Sequence, residues 1–193
     1  MQQRLHDLGI RFLSGGEAES QAAFVRIARV LHWRGCHRVG LIPAGDEVAV
    51  PPVALHVAIA LSQLTGRPAG VIDAQGSWLP PDEPGPVAAP GSALVAAWLN
   101  DTLALFAPPP AGAASTLPAL RAFLHGPGRE LAHLVVDLTG LDHSGEHAEA
   151  LALLDGAAVV ARAGSTTTPQ LERRMRDIPE AQRLGVILVG VEG

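Results

Sequence analysis

Between Glu17 and Trp33, the apolar residues Ala22, Val25, Ile27, Val30 and Leu31 recur at mostly helical spacing, with Arg26 and Arg29 set between them. That spacing predicts a helix, and Gly35 stands where it should close. The short apolar run 38–42, bounded by Gly35 and Pro43, reads as a buried strand. After a loop over 44–50, Pro51 or Pro52 fits a first helical turn, where a missing N–H costs nothing. A helix over 53–64 follows, ended by Gly66, and 69–73 reads as a second buried strand.

Segment 75–91 holds five prolines and three glycines, too many for a regular element. Strands are predicted over 93–99 and 102–106, before a second break at Pro108, Pro109 and Pro110. Next come a helix over 117–124 and a strand over 131–138, whose centre Leu134-Val135-Val136-Asp137 carries the strongest strand signal in the chain. A helix over 146–154, a strand over 157–161, a helix over 168–178 and a strand over 185–189 complete the pattern. Apolar strands alternating with amphipathic helices imply an α/β fold, a parallel sheet with helices on both faces. Neither proline-rich stretch separates two self-sufficient cores, so residues 1–193 are expected to form one domain without internal repeats.

Composition narrows the function classes. A formal net charge of -5 argues against binding nucleic acid through phosphate neutralisation, although Arg173, Arg174 and Arg176 cluster locally. Residues 1–11 carry no apolar stretch of a secretory signal, and the best apolar run, 93–107, is broken by Asn100 and Asp101. The lone Cys36 suits a reducing compartment, so a cytoplasmic protein that does not span the membrane is expected. Tyrosine is absent.

The order of the pieces is specific. A strand over 39–42 and a loop lead into the helix VALHVAIALSQLTGRP and the strand AGVIDAQGSWLP; LAHLVVDLTG, GAAVVARAGSTTTPQLERRM and LGVILVGVEG follow. This series resembles the MinD/ParA branch of the P-loop ATPases along nearly the whole chain, and within it the ATPase domain of bacterial tyrosine kinases of capsule and exopolysaccharide export. The resemblance implies a P-loop NTPase-like fold. It also implies a nucleotide site, whose chemistry needs glycines for backbone approach to phosphate, a Lys for the β/γ oxygens and a Ser or Thr for Mg²⁺.

The matching positions carry other residues. Asp46 to Pro52 overlie the phosphate loop, with Val50 in place of the Lys and Pro51 in place of the hydroxyl. Only Gly45 remains, ahead of the cradle. Pro51 and Pro52 bring no N–H groups, and Asp46 and Glu47 bring negative charge toward a polyphosphate. Asp73 matches the first of the family's two carboxylates after the first helix, while Gln75 stands at the second. Asp137 matches the Walker B carboxylate, and Val189 falls where an Asn would read adenine. A carboxylate at a strand end also has a structural use in capping the following turn. The family's C-terminal Tyr cluster has no counterpart here. Of its Glu-x-x-Arg-x-x-Arg assembly helix, Ala23, Arg26 and Arg29 match, so the arginines stand without the Glu.

Two further signals compete. The run from His143 through Glu146 to His147 fits H-x-x-E-H, a zinc-hydrolase pattern that requires one helix across both histidines; Gly145 opposes that helix, and a helix start capped by Asp142 is the reading preferred. Cys36 and His37 are adjacent and point apart in a strand, so a buried thiol is expected rather than a dyad. Trp78 lies in the proline-rich loop after the second strand, at the edge where this fold places ligands and partners. Together these readings predict a non-catalytic pseudo-ATPase without a cofactor, a protein-binding adaptor or regulator in polysaccharide synthesis or export or in polar positioning. Its expected partner is a protein, either an active homologue or an inner-membrane polysaccharide co-polymerase that would recruit it to the membrane, contacted through Arg26, Arg29 and Trp78. The rival readings are an atypical Mg-nucleotide ATPase using Asp73 and Asp137, and a metal-dependent hydrolase using His143 and His147.

Overall fold

The computed structural model describes residues 17–74, 87–88, 94–108 and 116–190. Helix α1 (Glu17–Trp33) precedes β1 (Arg38–Pro43), α2 (Val50–Thr65) and β2 (Ala69–Asp73). The short β3 (Val87–Ala88), β4 (Val95–Asn100) and β5 (Leu103–Ala107) lead to α3 (Thr116–His125) and β6 (His133–Asp137). Then follow α4 (Thr139–Ser144), α5 (His147–Leu151), β7 (Gly156–Arg162), α6 (Thr168–Asp177) and β8 (Arg183–Val189).

The eight strands form one sheet in the order β3-β4-β5-β2-β6-β1-β7-β8. From β5 to β8 every pairing is parallel. The sheet is nevertheless mixed, because β4 pairs antiparallel with both β3 and β5. Only Asp101 and Thr102 separate β4 from β5, and a parallel partner needs a crossover of a dozen or more residues. The parallel sheet expected from the pattern is present, with an antiparallel edge at β3 and β4.

The chain passes leftward in strand order from β1 to β2 and rightward from β5 to β6, β7 and β8. With right-handed crossovers, α2 therefore covers one face and α3 to α6 the other. Helix α1 packs along α2, where Phe24 and His56 stack with ring centroids 4.8 Å apart. Strands β2, β5 and β6 are buried along their whole length, which explains why they read as continuous apolar runs.

Several element ends shift by a few residues from the sequence reading, and two differences matter for the site. Helix α2 begins at Val50, so both prolines lie in its first turn. Helix α4 was not expected: the Asp137 carboxylate accepts hydrogen bonds from the Thr139 N–H at 2.9 Å and hydroxyl at 2.6 Å, turning the chain into a helix directly after β6. Asp142 consequently lies inside α4 and is not the cap of a following helix. Elsewhere α1 and β2 fall on the expected residues.

Neighbouring strands and side chains leave no room above Gly70 on β2. A Cβ there would meet Leu131 at 2.7 Å and Leu134 and Phe106 at 2.9 Å. Phe106 is itself held against Phe123, with centroids 4.6 Å apart. Gly70→Ala is expected to lower unfolding free energy by about 1–3 kcal/mol through overpacking, read from urea denaturation. An unchanged midpoint would show that this core yields more easily than its packing implies.

Candidate functional site at the carboxyl edge of the sheet

Two acidic side chains meet at the carboxyl ends of the central strands. Asp73 closes β2, Asp137 closes β6, and the two are register partners on adjacent strands. Both are buried. Burial pushes the Asp137 carboxyl up to about 6; the two Thr139 hydrogen bonds oppose that rise, and the charge of Asp73 adds to it. Asp137 thus fills the turn-capping role its position allows, while burial resists its ionisation.

The loop between β1 and α2 leaves the same edge of the sheet. The Ala44 N–H bonds to the Val160 carbonyl at 2.8 Å, which ties the loop to β7. The Val48 N–H closes a turn on the Gly45 carbonyl at 3.1 Å. The Glu47 carboxylate folds back over the Cα of Gly45 and occupies the space any side chain there would need. The Thr166 hydroxyl, held by the Arg162 N–H at 2.9 Å, reaches Glu47 at 3.4 Å. Asp46 is exposed beside it. Val50 is wholly buried, so its side chain belongs to the core. Ala49 caps α2 without a side-chain hydrogen bond, and Pro51 and Pro52 contribute no N–H to the helix start. Val189 lies half-buried at the end of β8, opposite Arg162.

Arg26 and Arg29 are exposed on α1, one turn apart. Arg26 rims an apolar cavity of about 250 Å³ between α1 and β8, walled by Ile27, Val30, Leu31, Val39 and Leu41. The Arg34 guanidinium bridges to the Arg183 carbonyl at 3.4 Å and joins the end of α1 to the start of β8. In its lining Val30 and Val186 are 47% and 42% exposed, and Trp33 on α1 and Leu188 on β8 are 82% and 67% exposed. Sequence reasoning marked the two arginines and missed the groove. Its far wall comes from β8, more than 150 residues along the chain, and no local pattern records that proximity.

The H-x-x-E-H run does not lie on one helix. Gly145 adopts φ 78 between α4 and α5, so His143 and His147 belong to different helices. Glu146 accepts a hydrogen bond from the Ser144 hydroxyl at 3.0 Å. No group of three metal-ligating side chains occurs among the described residues. Cys36 is buried, and burial raises its thiol pKa, with the Asp155 charge adding to the effect. Trp78 and Gln75 lie outside the described residues. Among those described, no helix is long and apolar enough to cross a membrane.

No family model and no curated protein matches the chain. Solved structures do match. The VpsO kinase domain superposes with a TM-score of 0.68 at 16% identity, covering 91% of this chain and 96% of that one. The kinase domain of the Escherichia coli tyrosine kinase ETK gives 0.65 at 16%, over 86% and 74%. A ParA family ATPase from Chlorobium tepidum gives 0.55 at 15%, over 80% and 73%.

The fold is that of the MinD/ParA-type P-loop ATPases. In this fold the loop from β1 to α2 is where the phosphate loop runs, and Asp73 and Asp137 stand at the strand ends beside it.

Asp137 supplies a pH-dependent test. Its folded pKa of about 6 lies above the ordinary 3.8, so its contribution to stability is present below that ordinary value and lost as pH rises through about 6. Asp137→Asn keeps the carbonyl acceptor for Thr139 and removes the charge. It should raise unfolding free energy by on the order of 1–3 kcal/mol near neutral pH, and the gain should vanish below about pH 4. Chemical denaturation across that range checks it; a pH-independent loss of stability would contradict this account of the burial.

Proposed function

We propose that this chain is a non-catalytic member of the P-loop ATPase fold that acts as a protein-binding adaptor. The observation that carries the reading is the start of α2. A nucleotide's phosphates require a reachable Lys and a fan of N–H groups. Here the matching position is the buried Val50, followed by two prolines, and the Glu47 carboxylate lies over Gly45. Mg-ATP does not fit such a loop, because an anion would meet a carboxylate where it needs donors. We derive no phosphoryl-transfer step for it, and none of the 193 residues is a tyrosine.

The groove beside Arg26 supports the adaptor half of the proposal. It offers exposed apolar side chains with Arg26 on its rim and Arg29 one turn further along α1, a combination suited to an amphipathic segment with acidic residues along one side. The resemblance to tyrosine kinases of exopolysaccharide export suggests the partner: an active homologue whose assembly helix supplies the Glu missing at Ala23, or a co-polymerase tail at the inner membrane. Trp78 belongs to the same proposal as a second contact.

A second reading has one observation in its favour. The adjacent buried Asp73 and Asp137 form a pair that a divalent cation would neutralise, as an atypical Mg-nucleotide site would require. The Thr139 hydrogen bonds give Asp137 a structural role without it, so the adaptor reading is preferred.

Sedimentation of this protein mixed with the active tyrosine-kinase homologue from the same cell tests the adaptor reading. A hetero-complex is expected, lost with Arg26→Glu and Arg29→Glu together, while circular dichroism stays unchanged because both residues are exposed. A double variant that associates as strongly as the wild type would place the interface elsewhere.

A further inference from the structure

The opposite, amino-terminal edge of the sheet holds a concavity of about 420 Å³. Three arginines from three separate elements line it: Arg38 at the start of β1, Arg67 in the turn between α2 and β2, and Arg129 in the short helical turn before β6. His37 joins them. A volume of this order lies within the range of small-molecule sites. It lies across the sheet from the β1–α2 loop, and neither the fold's nucleotide chemistry nor the adaptor reading uses it.

The charges in this pocket are unbalanced. Asp155 is the carboxylate in the lining, and its Oδ2 already accepts the backbone N–H groups of His37 at 2.7 Å and Arg38 at 2.8 Å. Of the arginine side chains, Arg38 makes one bond, from Nη2 to the Leu124 carbonyl at 3.1 Å. Among the described residues, neither Arg67 nor Arg129 is tied to a carboxylate. Three guanidinium charges set against one carboxylate leave an excess of two positive charges around a single cavity.

A buried histidine, His133, lies against His37 of this lining. The His133 ring stacks on His37 with centroids 5.5 Å apart and meets His32 edge-on at 6.0 Å. Its Nδ1 is buried without a hydrogen-bond partner. Burial lowers its pKa to about 4, and the positive charges of His37, His32 and Arg67 push in the same direction. His37 donates from Nδ1 to the Ala132 carbonyl at 3.1 Å, since a carbonyl can only accept, and its Nε2 stays available.

We infer that this pocket binds a phosphate monoester of a small molecule. The excess charge equals that of a phosphoryl dianion, and the guanidinium fork matches phosphate oxygens in bidentate geometry. A carboxylate ligand would leave one positive charge uncompensated. A long polyanion would need a basic surface continuing beyond the cavity, which a chain of net charge -5 does not favour.

Glucose 6-phosphate serves as the probe, with inorganic phosphate, glucose and acetate in parallel. Phosphorus NMR or calorimetry on the full chain should show saturable binding of the ester, no binding of glucose, and at least tenfold weaker binding of acetate. If inorganic phosphate binds as well as the ester, the pocket recognises the phosphoryl group alone, which still supports the inference. Arg67→Ala with Arg129→Ala should weaken ester binding at least tenfold; both side chains are exposed, so thermal melting should show the fold retained. Arg121→Ala, on the exposed side of α3, should leave binding unchanged. No saturation by about 10 mM ester, or wild-type affinity in the double variant, would overturn the assignment.

Discussion

Val50 is wholly buried at the first turn of α2, and Pro51 and Pro52 follow it with no N–H to offer. This local constraint governs the whole carboxyl edge of the sheet. A helix start that anchors its first side chain in the core cannot also aim that side chain at a ligand above the loop. The prolines suit the helix, because the N–H groups they lack would have been unpaired there. What serves the fold thereby removes donors that an anion would need. Glu47, folded over Gly45 and touched by Thr166, stabilises the loop in this closed form.

The same edge keeps the two carboxylates, and keeping them is costly. The two acids lie buried on adjacent strands, and burial raises the pKa of Asp137, with the charge of Asp73 adding to the rise. Thr139 offsets part of that cost and gains the start of α4. Positive charge gathers elsewhere, on the exposed face of α1 and around the amino-terminal pocket. The molecule is thus acidic where this fold ordinarily holds phosphate and basic at two places remote from it, and those two places are where binding is proposed.

Much of the architecture was legible because parallel strands buried on both faces must read as short apolar runs. The stretches at 69–73 and 131–138 could be little else, and Gly66, with φ 65, ends α2 where the pattern stopped. The antiparallel hairpin was legible only in part. Its strands were visible, but their direction follows from the two-residue link between them. Helix α4 was missed because it begins with a side-chain contact, from Asp137 to Thr139, and not with a periodic pattern. At the candidate site, the resemblance suggested which residues overlie the phosphate loop, and the buried state of Val50 adds what a sequence cannot state. The groove beside Arg26 and the three-arginine pocket were not legible at all. Each gathers residues from distant segments, and an isolated arginine in a sequence is indistinguishable from any solvated one.

The proposal turns on whether the β1–α2 loop holds nucleotide, and a calorimetric titration of the purified chain with Mg-ATP tests it most directly. The account predicts no saturable heat up to about 1 mM nucleotide, with or without the protein partner. A dissociation constant of about 10 μM or tighter would contradict it, the more so if Asp73→Asn or Asp137→Asn abolished the binding.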